Sequence, residues 1–154
     1  GVTTVVLKLL NLVSADVAFF GQKDYQQSLV VRRMVEDLNL PVEIHVCPTV
    51  REEDGLAMSS RNAYLPDRAR EQACALHRCL ELATEMVAEG HRDAAMVVAQ
   101  MRQTLGETGI RHVDYIALVD PESLEDVRQI NGPVLAAVAA YVDKARLIDN
   151  CLIG

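Results

Sequence analysis

The fold is decided by the stretch Asp16-Val17-Ala18-Phe19-Phe20-Gly21-Gln22-Lys23-Asp24-Tyr25-Gln26-Gln27, where an apolar run stops at a glycine and a polar segment begins. Asp16 to Phe20 has the length and composition of a short buried strand. Asp24 to Leu38 follows as a helix whose inward residues are expected to be Leu29, Val30, Met34 and Leu38, and Val42 to Cys47 reads as a second strand. These segments make one βαβ unit. Two parallel strands do not close a doubly wound domain alone, because a parallel sheet needs helices on both faces and further neighbouring strands. More strands are expected upstream. Val2 to Val13 reads as an amphipathic helix with Val2, Val5, Val6, Leu9, Leu12 and Val13 on one face. Gly1 stands where methionine would open a natural chain, so the sequence reads as one entered in its middle.

Composition narrows the class of function. A 154-residue chain with 50% hydrophobic residues builds a real core, as one domain or two small ones. A net charge of −7 and a pI near 5.0 argue against nucleic acid or an anionic membrane as partner, since both need a basic footprint. Any anion must then be held by a local site. The longest apolar run, about Val134 to Val142, falls far short of the roughly 20 residues that a membrane helix needs. Cys47, Cys74, Cys79 and Cys151 show neither C-x-x-C spacing nor a zinc-finger interval with histidine, which fits reduced cytosolic thiols.

The second half has a different pattern. Pro66 to Gly90 carries a long helix with Ala73, Leu76, Leu80, Ala83 and Val87 as its inner stripe and Gly90 as its stop, and Asp93 to Leu105 carries another. Val113 to Val119, Pro133 to Val142 and Ala145 to Ile153 are strand-like, and the Asp143-Lys144 pair is short enough for a hairpin. Helices followed by antiparallel strands describe a small α+β domain after the βαβ portion. The boundary falls near Pro48 and Thr49.

Two clusters carry the chemistry. Phe20 to Gln27 lies where a parallel strand ends and its helix begins, the position at which open α/β sheets bind ligands. There Gly21 lets backbone approach a phosphate, the helix N-terminus favours an anion and Lys23 adds positive charge. The plainer alternative is a solvated turn with Asp24 as N-cap. Pro48 to Asn62, a polar loop containing Met58-Ser59-Ser60-Arg61-Asn62, offers two hydroxyls, a guanidinium, a carboxamide and backbone N–H groups to an anion. Here the alternative is a serine-rich turn capping a helix. Near a domain boundary, such a loop stands where ligand clefts commonly lie.

With their spacing and flanks, the two clusters closely resemble the pantothenate synthetase family, the pantoate–β-alanine ligases of coenzyme A biosynthesis. The resemblance runs through Gly1 to Val6, Lys8 to Asn11, Phe20 to Gln27, Met34 to Leu38 and Pro48 to Leu65, and weakens to a general match beyond. It implies an α/β fold: residues 1–48 as the end of a nucleotidyltransferase-type Rossmann-like domain that binds ATP and pantoate, and residues 49–154 as a smaller α+β domain with a three-stranded antiparallel sheet and the phosphate loop. It also implies a cytoplasmic homodimer.

The family reaction uses ATP and magnesium to adenylate pantoate, after which β-alanine attacks the pantoyl-adenylate and AMP leaves. No protein nucleophile is needed, so the enzyme must orient reactants and neutralise charge on the phosphates. By resemblance, Gly21, Gln22, Lys23 and Asp24 line the ATP site, with Lys23 as the cation on the phosphates, and Gln27 hydrogen-bonds pantoate. Val50 matches a residue that contacts adenine through its backbone. Met58, Ser59, Ser60 and Arg61 match the phosphate-binding signature related to the KMSKS loop of class I aminoacyl-tRNA synthetases. Methionine and serines stand here without that loop's lysines, so Lys23 and Arg61 supply the charge. Lys23, Ser59, Ser60 and Arg61 are the expected catalytic residues.

The family's upstream His-x-Gly-His-type motif, its early pantoate and β-alanine contacts and its magnesium-holding acidic residue have no counterpart in this sequence. His45, His77, His91 and His112 are expected in ordinary structural or surface roles, and Cys74, His77 and Cys79 are spaced wrongly for one helix face, so no metal site is expected. The acidic run Arg51-Glu52-Glu53-Asp54 reads as a solvated loop rather than a cation site. The segment alone is expected to be inactive. Two alternatives stand beside the ligase: a non-catalytic dimerisation module, and a different adenylate-forming or nucleotidyl-transferring enzyme of the same superfold.

Overall fold

The computed structural model describes residues 1–154, which divide into two compact units, Gly1–Thr49 and Val50–Gly154. In the first, α1 (Val2–Val13) precedes β1 (Val17–Gly21), a 3₁₀ turn (Gln22–Asp24), α2 (Tyr25–Asp37) and β2 (Glu43–Cys47). The strands pair in parallel from Val17 opposite Glu43 to Gly21 opposite Cys47, which is the expected βαβ unit. Its small core is Val31, Met34 and Val35 of α2, against Val6, Leu7, Leu10, Phe20, Leu40, Val42 and Ile44.

Two inward faces differ from the expected ones. On α2 the buried residues are Ser28, Val31, Met34 and Val35, while Val30 and Leu38 are exposed. Val31, Met34 and Val35 are the residues that meet Val6, Leu7, Leu10 and the strands, and Ser28 is tolerated inside because its hydroxyl donates to the Tyr25 carbonyl at 2.9 Å. On α1 the residues that pack are Val6, Leu7 and Leu10, whereas Val2, Val5, Leu9, Leu12 and Val13 face outward, Leu12 at 79% exposure. Hydrophobic periodicity located this helix without identifying the face that meets α2.

In the second unit, a 3₁₀ turn (Ser60–Tyr64) is followed by α3 (Asp67–Ala73), α4 (Ala75–Ala88), α5 (Ala94–Glu107), β3 (His112–Val119), β4 (Val134–Val142) and β5 (Ala145–Ile153). The strands form an antiparallel sheet in the order β3-β4-β5. Val134, Ala136, Val138, Ala140 and Val142 alternate along β4 and enter one core with Leu76, Leu80, Met101 and Leu105 from the helices. The expected long helix is interrupted at Cys74, whose thiol donates back to the Arg70 carbonyl at 3.3 Å. Its stripe of Ala73, Leu76, Leu80, Ala83 and Val87 is nonetheless wholly buried.

Local chemistry places the ends of these elements. Gly90 has φ +98° and closes α4: its N–H reaches the Val87 carbonyl, and the His91 N–H reaches the Met86 carbonyl. Asp93 caps α5 by accepting from the Ala95 N–H at 2.9 Å. At the β4–β5 hairpin, Asp143 adopts φ 52°, the left-handed value that a two-residue loop requires at its first position.

Candidate functional site

In the first unit the cluster sits where the chain leaves β1. Gly21 pairs with Cys47, so the Gln22–Asp24 turn stands at the carboxyl ends of both parallel strands. Gly21 is extended, with φ −81° and ψ 133°, and nothing lies within 4 Å of where its Cβ would be. Its conformation does not demand glycine, but the space beside it is open. Asp24 occupies the N-cap position of α2 without a side-chain cap bond. The solvated-turn alternative therefore keeps the position of Asp24 and loses its capping function. Gln27 follows within the first turn of α2 and is exposed. A hollow of about 220 Å³ lined by Leu10, Asn11, Asp16 and Val42 lies at the amino ends of the strands, the opposite end from this cluster.

In the second unit the loop doubles back on itself. The Glu52 N–H donates to the Leu56 carbonyl and the Met58 N–H to the Val50 carbonyl, both at 2.9 Å, so Val50 and Met58 stand side by side. Gly55, at φ +86°, makes the reversal, and Asp54 accepts from the Leu56 N–H at 3.1 Å. Ser59 then caps the Ser60–Tyr64 turn, its hydroxyl accepting from the Arg61 N–H at 3.2 Å. The serine-rich-cap alternative is thus correct for Ser59. Ser60, Arg61 and Met58 remain exposed.

The acidic run keeps Glu53 and Asp54 exposed, as a solvated loop would, but Glu52 and Asp54 are tied to a basic partner. Arg70 bridges Glu52 at 2.5 Å and Asp54 at 2.8 Å. Asn62 donates to Glu52 at 2.6 Å and to the Ala57 carbonyl at 3.1 Å, so the carboxamide counted as an anion donor is spent inside the loop. The Arg70 hydrogen bond, then that of Asn62, holds the Glu52 carboxyl below its ordinary range. For Asp54, burial pushes upward but is outweighed by the Leu56 N–H and Arg70, and Arg70 is raised in turn by Glu52 and Asp54.

Arg51 anchors the loop to the sheet. Its guanidinium meets both carboxylate oxygens of Asp149 on β5, at 2.6 and 3.1 Å, and donates to the Gly55 carbonyl at 3.1 Å. Ninety-eight residues separate the partners, so no local pattern joins them. One signal was available: Asp149 lies between Leu147, Ile148 and Cys151 on an apolar strand, and a buried carboxylate requires a cation. The structure thus gathers Gly21, Gln22, Lys23, Asp24 and Gln27 on one turn and helix start in the first unit. It gathers Val50, Met58, Ser59, Ser60 and Arg61 on one loop in the second.

The histidines keep structural or surface positions. His45 pairs with Glu43 at 2.8 Å, His112 stacks on Tyr141 at 4.4 Å and His77 lies against Gly55. No helix is long and apolar enough to cross a membrane.

Residues 1–152 match the family model described as pantoate-beta-alanine ligase. The chain belongs to that family. It is 50% identical to the pantothenate synthetase of Moorella thermoacetica over 153 residues, covering 99% of this chain and 54% of that protein. The crystal structure of pantothenate synthetase from Thermus thermophilus superposes with a TM-score of 0.93 at 45% identity, over 97% of this chain and 54% of that one. The pantoate-beta-alanine ligase of Francisella tularensis, complexed with beta-gamma ATP and beta-alanine, gives 0.70 at 31% identity, over 99% of this chain and 49% of that one. The chain therefore spans about half the length of the relatives it matches.

Proposed function

We propose that this chain is part of an enzyme that condenses pantoate with β-alanine at the expense of ATP. The family match over residues 1–152 carries the reading, and the Francisella relative's complex with an ATP species and β-alanine supports its substrates. The pantoate carboxylate attacks the α-phosphorus, the bond to the bridging oxygen breaks and pyrophosphate leaves. The β-alanine amine then attacks the acyl carbon of the adenylate, loses a proton and expels AMP.

Residues 1–48 supply Gly21, Gln22, Lys23 and Asp24 to ATP and Gln27 to pantoate. The uncapped start of α2 favours an anion there through its N–H groups and dipole. Residues 49–154 supply the Val50 backbone to adenine and Met58, Ser59, Ser60 and Arg61 to the phosphates. Lys23 and Arg61 neutralise charge as the pentacoordinate phosphorus forms, with Ser59 and Ser60 donating to its oxygens. No magnesium ligand is assigned within this chain: no group of three His, Cys, Asp or Glu side chains converges, and Glu52 and Asp54 are taken by Arg70. No step is routed through it, and its ligands are assigned to the half of the family's length that this chain does not span. Dimerisation and a cytoplasmic setting complete the reading, the latter supported by four free thiols.

Pantoate-dependent exchange of labelled pyrophosphate into ATP tests it. The 154 residues alone are expected to give no exchange and the whole protein robust exchange. Exchange by the whole protein with other carboxylic acids but not with pantoate would overturn the substrate assignment.

A further inference from the structure

Within the second unit, the Ser60–Tyr64 turn and the tip of the β4–β5 hairpin border an open cavity of about 480 Å³, lined by Arg61, Tyr64, Leu65 and the run Asp143 to Arg146. Its size falls in the range of small-molecule sites, about 300–1,000 Å³. Three of the chain's 15 basic residues, Arg61, Lys144 and Arg146, converge on it, although the chain carries a net charge of −7. They are not equivalent. Arg146 is neutralised by Asp114, to which it donates at 2.9 and 2.7 Å, and it lies 6.0 Å from the Tyr115 ring. Arg61 and Lys144 take part in none of the chain's ion pairs. Asp143 is the one carboxylate in the lining.

Two cations without an ion-pair partner, on separate elements and opposed by the single carboxylate of Asp143, leave the concave lining positive in a chain of negative net charge, which favours a multiply charged anion over a monovalent one. Phosphate oxygens suit it because both the guanidinium fork and the ammonium bind them well. We infer that this cavity binds a polyphosphate anion, with Lys144 as a second cation beside Arg61. The connection to ATP rests on the function proposed above. The cavity and its charge do not.

The test measures binding of sodium tripolyphosphate and, separately, of ATP by titration calorimetry, on the protein and on variants with unchanged melting temperature. Lys144 is exposed on a hairpin tip, so its replacement leaves the core intact. Lys144→Ala is expected to weaken tripolyphosphate by roughly five- to twentyfold and to flatten its salt dependence, while Lys144→Arg retains affinity. Asp143→Asn keeps a residue tolerant of the left-handed conformation, removes the carboxylate and is expected to tighten binding by roughly two- to fivefold. A purely structural hairpin would not give that opposite sign. The inference is overturned if tripolyphosphate does not bind, or if Lys144→Ala leaves it unchanged. If ATP fails to bind while tripolyphosphate behaves as expected, the cavity stands and the nucleotide reading falls. If Arg61→Ala abolishes ATP binding and Lys144→Ala changes neither ligand, the nucleotide reading stands and this inference falls.

Discussion

Arg51 and Asp149, ninety-eight residues apart, join the loop from Pro48 to Asn62 to the last strand through two parallel hydrogen bonds of 2.6 and 3.1 Å. Asp149 is 3% exposed and Arg51 22%, so the carboxylate is held in the interior by a partner that is mostly screened from water. Replacing Arg51 with Met leaves a buried carboxylate supported mainly by the Asn150 N–H at 2.8 Å. Removing one member of a buried pair costs about 3–5 kcal/mol, and the partial exposure of Arg51 brings the expected loss to about 2–3 kcal/mol. Arg51→Met combined with Asp149→Leu should recover part of this, because no orphaned charge remains. Urea denaturation of the three variants checks it. A double variant less stable than Arg51→Met would contradict the assigned cause.

Arg70 makes the stability of the same loop depend on acid. Glu52 and Asp54 both have carboxyls depressed below their ordinary values of 4.5 and 3.8. A depressed carboxyl contributes stability that is fully present above its unfolded-state value and is lost as pH falls through its folded-state value. The contribution is therefore intact at neutral pH and disappears from about pH 4.5 downward. Arg70→Leu should melt below the parent at pH 7, and the gap should close as the pH approaches 3. A gap that stays constant over that interval would assign the effect of Arg70 to packing alone.

The tight reversal at Gly55 is constrained twice. Its φ is +86°, and an added Cβ would collide with Cδ2 of the His77 ring, which is itself paired with Glu81 at 3.3 Å. Gly55→Ala should destabilise the second unit by about 1–3 kcal/mol, part from backbone strain and part from the collision. Adding His77→Ala removes the collision and leaves the strain. The alanine at position 55 should therefore cost less in that background, and an equal cost would place the whole effect in the backbone.

What could be read from the sequence follows the range of the forces involved. The βαβ unit, the buried helical stripe and the β4–β5 hairpin were legible because periodicity and turn chemistry act over a few residues, as at Gly90 and Asp143. The inward faces of α1 and α2 were not, since Val6 and Val31 are chosen by what packs on them rather than by their neighbours in the chain. In the loop from Pro48 to Asn62 the motif from Met58 to Arg61 was recognisable as a pattern. Its scaffold was not: Asn62 and Arg70 reach Glu52 from 10 and 18 residues away, and Asp149 reaches Arg51 from 98. A run such as Arg51-Glu52-Glu53-Asp54 reads as solvated until those partners are placed.

The proposed function gives Lys23 a role in one half of the reaction, and that division is measurable in the whole protein. It stands at the carboxyl end of β1, on the turn that leads into the uncapped start of α2, where the proposed function places a phosphate before a cation and N–H groups. Charge accumulates on the phosphate oxygens when pantoate attacks the α-phosphorus and is already dispersed when β-alanine attacks the adenylate. Removing the cation should therefore slow adenylation far more than amide formation. Lys23→Met should lower pantoate-dependent pyrophosphate exchange by about 10²–10³-fold, the size of a lost transition-state charge contact. Condensation of preformed pantoyl-adenylate with β-alanine should fall by less than about tenfold. Equal losses in both half-reactions would show that Lys23 positions a group common to the two steps instead of stabilising charge in the first.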